Sequence, residues 1–399
     1  MNIILLDEPN HAKALLPFTF TRPVAAIRMG IFTIAEKWEN WSDLSVSHCT
    51  ADYLQALFPT EVVQGKLNLL VNGAVLPTQA LVKAALSLSE NEYLVQGNEI
   101  IAFATSHTPH YPNWEILHSG AIKKTWEGEA LQFLNHTWDI FGFCGSEIRK
   151  DFEWIKSVRS SEVLKDSHTI IYHPENVFIE PGADIKASVI NAEGGPVYIG
   201  RNAQVQEGCL IRGPFALGEG SVLNMGAKIR GDSSFGPGCK VGGEVSNSVL
   251  LGFSNKGHDG FLGNSVLGEW CNLGADTNTS NLKNNYSQVK VWNYAEQDYV
   301  NTGRLFCGLI MGDHSKAGIN TMFNTGTVVG LGCNVFGGGF PQKYVPNFYW
   351  GGADSGFVRY RLPNFLETEV KVMARRNTLL SPEYQALIEY LYEHKGFVG

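Results

Sequence analysis

An α/β domain followed by a parallel β-solenoid and a short helical tail is the architecture this sequence predicts, on three observations. The first is a strict six-residue period. Ile199, Val205, Ile211, Leu217, Leu223, Ile229, Phe235 and Val241 place an apolar side chain at every sixth position, often with glycine next, as at Gly200, Gly218, Gly236 and Gly242. A helix of about 3.6 residues per turn and an alternating strand both lack that period, whereas a short strand plus its corner has it. The second is an alternation of apolar runs with helical stretches before residue 150, which suits a mostly parallel sheet covered by helices. The third is a return to helical patterning after Pro363.

Taken in order, residues 1–150 form the α/β domain. Strands are expected at Ile3–Leu6, Leu67–Val71 and Glu99–Ala104, and helices at Gly30–Trp41 and Thr78–Leu88. The stretch GSEIRKDFEWIKSVRSSEV reads as a connecting helix, placed over 151–168. The solenoid spans 169–350. Its hexads resume with Phe261, Leu267 and Leu273, and again with Met311, Ala317, Phe323, Val329 and Val335. Gly and Asn fill the corners because tight corners need positive φ. A sandwich of short strands is the alternative, but such strands do not hold a strict period. Between Thr279 and Met311 the hexads vanish, and SQVKVWNYAEQDYVNTGR reads as two short strands around a polar turn. That insertion is either the wall of a binding site or a decorative hairpin. Residues 351–399 form a helical cap, with Ser381 capping a helix that has Pro382 at its first position. The cap is expected on the solenoid's open end, where backbone would be unpaired.

Composition narrows the function classes. The 399 residues are 44% hydrophobic and 18% charged, ordinary for a globular chain with room for two or three domains. A net charge of −8 argues against nucleic acid or an anionic membrane as partner. MNIILLDEPN lacks the charged start and long apolar run of a signal peptide, and no stretch reaches membrane-span length. The seven cysteines are scattered without a C-x-x-C pair, which suggests reduced thiols in a cytoplasm.

The polar residues of the later coils carry a resemblance. His258-Asp259-Gly260-Phe261-Leu262-Gly263-Asn264-Ser265 is followed by Asn272-Leu273-Gly274-Ala275-Asp276-Thr277, Ser280-Asn281-Leu282, Gly312-Asp313 and Ala317-Gly318-Ile319-Asn320. In order and spacing these resemble the acyltransferase domain of bifunctional sugar-1-phosphate nucleotidyltransferase/acetyltransferases, such as those making UDP-N-acetylglucosamine. The resemblance covers about 100 residues closely and implies a left-handed β-helix whose coils close every three hexads. It implies His258 as catalytic base, with Asn281 beside it as a sugar contact. Arg230 and Lys290 correspond to positions that bind sugar or phosphate, and Ala275 and Gly318 to coils that hold acetyl-CoA or another acyl-CoA. Neutral imidazole suits proton removal from an amine near neutral pH. A homotrimer acting on a small-molecule sugar phosphate or nucleotide sugar is further implied. There are departures: the family Tyr of the His motif is Phe261, a family Lys is Ser246, and a second Tyr is Leu282.

The N-terminal residues are similar to sugar nucleotidyltransferases in Ile3–Leu6 and in LLPFTFTRP, but DEPNHAKA replaces the Gly-rich phosphate turn and Val24 a family Lys. Arg22, with Lys13 and Arg28, is a substitute source of positive charge. LLVNGAVLP has Ala74 where the family has a metal-binding Asp, while HTWDIFGF offers Asp139 as a metal ligand, for Mg²⁺ if this domain is active. The reading is therefore a divergent nucleotidyltransferase-like domain before an acyltransferase solenoid. A working sugar-1-phosphate nucleotidyltransferase and a non-catalytic sugar-nucleotide scaffold are the alternatives. A solenoid carbonic anhydrase would need a close His set that His168, His173, His258 and His314 do not supply by spacing.

Overall fold

The structure, a computed structural model, describes residues 1–63, 65–106 and 120–394. The chain divides into two compact units: Met1–Leu15, Thr21–Ile27 and Phe32–His136 in one; Leu16–Phe20, Arg28–Ile31 and everything from Thr137 onward in the other. Among the described residues no helix is long and apolar enough to cross a membrane.

The first unit is built on a six-stranded sheet in the order Val46–Cys49, Asn2–Leu6, Asn68–Asn72, Glu99–Thr105, Glu92–Gln96, Ile122–Thr125. The first three strands are parallel. Ile3–Leu6 is an unbroken apolar run because both its faces are covered. Glu99–Thr105 runs antiparallel to both its neighbours, and Ile122–Thr125 pairs parallel with Glu92–Gln96, so the sheet is mixed. Helix α1 (Pro9–Ala14) follows the first strand, capped by Glu8. Helix α2 (Ile34–Ser42) opens on a capping box in which Thr33 and Glu36 each bond the other's backbone N–H. Helix α3 (Gln79–Leu86) is capped by Thr78.

In the second unit the connecting helix, α4, spans Thr137–Val158 rather than 151–168. Its buried stripe of Trp138, Phe141, Cys144, Ile148, Phe152 and Ile155 begins earlier than the charged stretch by which sequence marked it. The solenoid follows from Ile170 to Gly352 as three stacked parallel faces. The first has nine strands from Val177–Ile179 to Tyr344–Val345. The second has ten, from Asp184–Ile185 to Tyr349–Gly352 plus Gly356–Arg359. The third has six, from Ile170–Tyr172 to Phe261–Gly263, with Asn278–Thr279 and Met322–Phe323 as a further pair. All eight residues of the opening hexad series are buried in one apolar column.

The break after Val241 is a shortened corner. Val245 pairs with Ile229 and Leu250 with Phe235, so two consecutive steps lose residues. The inward register therefore resumes at Leu262, fully buried and paired with Val245, and not at Phe261, which is half-buried. Lys256 occupies the inward position of the second face, paired with Val241.

The corner from the first to the second face carries a constraint that hexads do not reveal. Successive coils place Gly220, Gly238, Phe253, Trp270, His314, Gly332 and Phe348 there, each N–H donating to the coil below. Phe253, Trp270, His314 and Phe348 have φ of 53°, 61°, 59° and 58°. A bulky residue in that left-handed region costs on the order of 1–3 kcal/mol. Stacking offsets it: Trp270 lies at 4.4 Å and 6° on Phe253 and at 6.4 Å and 11° against His314.

This column explains where the C-terminal helices lie. Helices α5 (Leu362–Ala374) and α6 (Pro382–Glu393) run along the side of the solenoid, packed on the aromatic corner, instead of capping its end. Phe365 of α5 packs edge-on against His314 and Phe348, and Tyr392 of α6 against Phe348. Ser381 caps α6 with Pro382 at its first position, as the sequence pattern predicts. The insertion does form a hairpin, Lys290–Asn293 with Asp298–Asn301. It packs on the first face, Trp292 stacking on Tyr344 at 4.3 Å and the Tyr294 hydroxyl donating to Asn347.

Gly332 is the position where α5 docks. A Cβ there would lie 2.9 Å from the Phe365 ring and 2.8 Å from Phe348, at φ +66°. Gly332→Ala is expected to lower unfolding stability by about 1–3 kcal/mol and to make α5 more susceptible to limited proteolysis. Equilibrium denaturation and proteolysis of full-length protein check both.

Candidate functional site

Three stacked corners between the second and third faces build the site: Gly242-Gly243, Gly257 to Gly260, and Gly274 to Thr277. His258 is exposed on the middle corner and lines a cavity of about 710 Å³ between the outer surface of the second face and α5. Ala275, from the corner above, lines the same cavity. Gly318 stacks on this site from the next coil, where a Cβ on Gly274 would come within 2.6 Å of its backbone carbon. Structure thus brings His258, Ala275 and Gly318 to one place.

Four cations face that cavity: Lys240 and Lys316 from the second face, and Arg375 and Arg376 from the end of α5. Among the described residues no Asp or Glu lines it, so its charged lining is wholly basic, an electrostatic environment that suits an anion. Arg376 is aimed by a 2.6 Å hydrogen bond to Asn255 Oδ1. Lys316 is held from behind by Glu369 Oε1 at 2.5 Å. The other Glu369 oxygen accepts from His314 at 2.6 Å, and the second His314 ring nitrogen meets the Tyr384 hydroxyl at 2.9 Å. Burial works to raise the Glu369 carboxyl, but His314 and Lys316 beside it outweigh that and hold it below the usual range. The stacked Phe253 and Trp270 form the apolar wall of the same cavity.

Sequence reasoning did not find these cations. Lys240 and Lys316 each precede an inward residue, Val241 and Ala317, so the hexad phase alone could have placed them outward on one face. Arg375-Arg376 offered only a helix-end pair, and nothing in the sequence said where that helix docks.

The remaining expected site residues lie elsewhere. Arg230 is exposed in a separate groove of about 540 Å³ on the third face and pairs with Glu244 at 3.1 Å. Asn281 donates to Asn264 Oδ1 at 2.8 Å, over Gly263, where a Cβ would collide with both it and Phe261. Lys290 is exposed on the hairpin, which does not line the His258 cavity. In the other unit, Arg22 is buried. Asp139 is buried in the first turn of α4, where it faces the Arg304 guanidinium at 3.8 Å rather than further acidic ligands. Among the described residues no group of three or more His, Cys, Asp or Glu could hold a metal ion.

The α/β unit has a feature of its own at the end of its first strand. Parallel strands flank Asn2–Leu6 on both sides, which makes its carboxyl end a topological switch point. Asp7 stands there, buried, accepting from the Thr50 hydroxyl at 2.5 Å and from Val24 N–H at 2.9 Å. Burial outweighs both bonds and pushes its carboxyl up to about 7.

Residues 3–160 match the family model for sugar nucleotidyl transferases. Over 90 residues the chain is 37% identical to the bifunctional protein GlmU of Methanocaldococcus jannaschii, covering 23% of this chain and 21% of that protein. It is 30% identical over 102 residues to a bifunctional sugar-1-phosphate nucleotidylyltransferase/acetyltransferase of Sulfurisphaera tokodaii, 26% of this chain and 25% of the relative. It is 34% identical over 143 residues to YaiX of Escherichia coli K12, named as an acetyltransferase, 35% of this chain and 61% of the relative. The chain thus matches the sugar nucleotidyl transferase model over residues 3–160 and is similar to bifunctional nucleotidyltransferase/acetyltransferases over about a quarter of their length or less.

Asp7 makes stability depend on pH. Its proton is held more tightly in the folded state than in the unfolded chain, so between about pH 4 and 7 stability falls as pH rises, then levels off. Asp7→Asn is expected to remove that slope and to be the more stable form above about pH 7 by on the order of 2 kcal/mol. Urea midpoints of both proteins across that range decide it.

Proposed function

We propose that this chain transfers an acyl group from an acyl-CoA to the amine of a phosphorylated or nucleotide-linked amino sugar, with His258 as the base. The observation that carries this reading is the shared cavity: His258, the small corner residues and four cations converge where sequence alone could only align motifs. Acetyl-CoA or a longer acyl-CoA is an anionic donor, and Lys240, Lys316, Arg375 and Arg376 would hold its phosphates. Ala275 and Gly318 leave room for a thin chain against the coils. In the transfer the amine nitrogen bonds the thioester carbon as the His258 imidazole accepts its proton, then the carbon–sulfur bond breaks and the leaving CoA sulfur takes that proton from the imidazolium and departs as the free thiol.

Asn281 belongs to the same reading as a sugar contact on the third face, one corner beyond His258. Arg230 and Lys290 are separate from the cavity, so their role in holding sugar phosphate requires a second copy of the chain to complete the site. A homotrimer is consistent with this, and Ile170, Tyr172 and Leu210 leave apolar surface on the third face. A cytoplasmic location accompanies the reading, from seven cysteines that are all buried and outside any disulfide.

The match over residues 3–160 favours a second activity, sugar-1-phosphate nucleotidyl transfer, for the α/β unit. Ala74 and the Arg304 neighbour of Asp139 favour instead a unit in which Arg22 and its surroundings bind a nucleotide sugar without metal-assisted transfer. Pyrophosphate release from each of the four NTPs with sugar-1-phosphates and Mg²⁺ separates the two: release establishes the transferase, and silence with nucleotide-sugar binding establishes the binding unit.

For the acyl transfer, purified protein is assayed with acetyl-CoA and a panel of amino-sugar phosphates. His258→Ala is expected to lower kcat by about 10²–10⁴-fold; undiminished turnover removes His258 as base. The double change Arg375→Ala and Arg376→Ala is expected to raise KM for acetyl-CoA by about tenfold or more, with a weaker dependence on salt.

A further inference from the structure

We propose that Lys256 is a positioning residue for His258, acting from inside the solenoid through the main-chain carbonyl of His258. The proposal rests on the reading of His258 as the base. Lys256 occupies an inward position: it pairs in register with Val241, is 2% exposed, and belongs to a column that holds Val205, Leu223 and Val241 below it and Leu273, Ala317 and Val335 above. Every other member of that set is apolar. An ammonium in such a column is costly unless it is bonded, and Lys256 Nζ donates to His258 O at 2.5 Å.

The corner that bears His258 is also held by the coils below and above it. Below it, Asn224 Nδ2 donates to Gly257 O at 2.7 Å, and a Cβ on Gly243 would lie 2.8 Å from His258 O. Above it, Asp276 N–H donates to Asp259 O at 3.1 Å, and Gly260, at φ +115°, would bring a Cβ to 2.3 Å from Thr277 O. Lys256 supplies the inner support, at the peptide that carries the imidazole. Replacing a buried charge with an apolar residue is often neutral or stabilising, so the fold itself does not call for lysine here. What the amine adds is a charge-assisted bond that fixes the plane of the His258–Asp259 peptide.

The bond is also titratable. Burial lowers the Lys256 amine to about 8, against the pull of the Asp259 and Asp276 carboxylates on the same two corners, with His258 the other titratable group on them. Above that pH the amine loses its charge and the bond to His258 O weakens.

Lys256→Met and Lys256→Gln in the full chain test this. One readout needs no turnover: the rate at which diethylpyrocarbonate modifies His258, followed by mass spectrometry from about pH 6 to 9.5. Wild type is expected to show a second inflection near pH 8 that both variants lack. In the acyl-transfer assay, Lys256→Met is expected to lower kcat about tenfold or more with KM for acetyl-CoA unchanged, while thermal stability is kept or raised. Lys256→Gln, which keeps a donor without a charge, should recover part of kcat. The proposal is overturned if both variants keep the wild-type modification profile, or if kcat falls only in step with lost stability. Should Lys256→Met fail to fold, the Lys256→Gln profile decides alone. Full activity of His258→Ala would defeat the base assignment and leave the modification arm standing as the test of the Lys256–His258 coupling.

Discussion

The stack of Trp270 on Phe253 and against His314, at a corner where the backbone is left-handed, joins the solenoid to its C-terminal helices and shapes the cavity between them. Three bulky residues in that conformation carry a cost of several kcal/mol in sum, and burial of two large aromatic faces is of the size needed to offset it. Once the ladder exists, Phe365 has a slot above Gly332, and α5 is set at a height that brings Arg375 and Arg376 opposite Lys240 and Lys316. Local strain at one corner thus determines where charge is concentrated on a neighbouring face.

The four cations would repel one another if all were equally free. Glu369 divides them: its carboxylate, buried against His314 and Lys316, binds Lys316 from behind while Arg375, Arg376 and Lys240 remain opposite the cavity. The Tyr384 hydroxyl on the far ring nitrogen of His314 extends this chain of bonds to α6. Both C-terminal helices therefore contribute to the same electrostatic arrangement, one by its cations and the other by anchoring the histidine that orients the carboxylate.

Most of the fold was legible because it is periodic. Ile199 to Val241 declare the solenoid by spacing alone, and Ser381-Pro382 declares the start of the last helix by capping chemistry. Where the period changes, reading becomes harder for a physical reason. A corner can shed residues without losing its hydrogen bonds, so the phase resets between Val241 and Leu262, and Phe261 is mistaken for its inward neighbour. The corner proposed to carry the base was visible through His258 and Ala275, since polar motifs at fixed spacing are local. The cations were not, because Lys240 and Arg376 are far apart in sequence and meet only through helix docking. Asp139 and Asp7 show the same limit: whether a carboxylate faces a metal, a guanidinium or an apolar pocket depends on neighbours that sequence does not specify.

The solenoid's last strand, Gly356–Arg359, runs antiparallel to Tyr349–Gly352, whereas every earlier neighbour on that face is parallel. A reversed strand interrupts the parallel register by which each earlier coil continues the one below it. Proteins made of stacked repeats face the hazard of end-to-end growth into filaments, and a single change of strand direction at the terminus is a means of fixing the length of the stack and keeping its end from templating another copy.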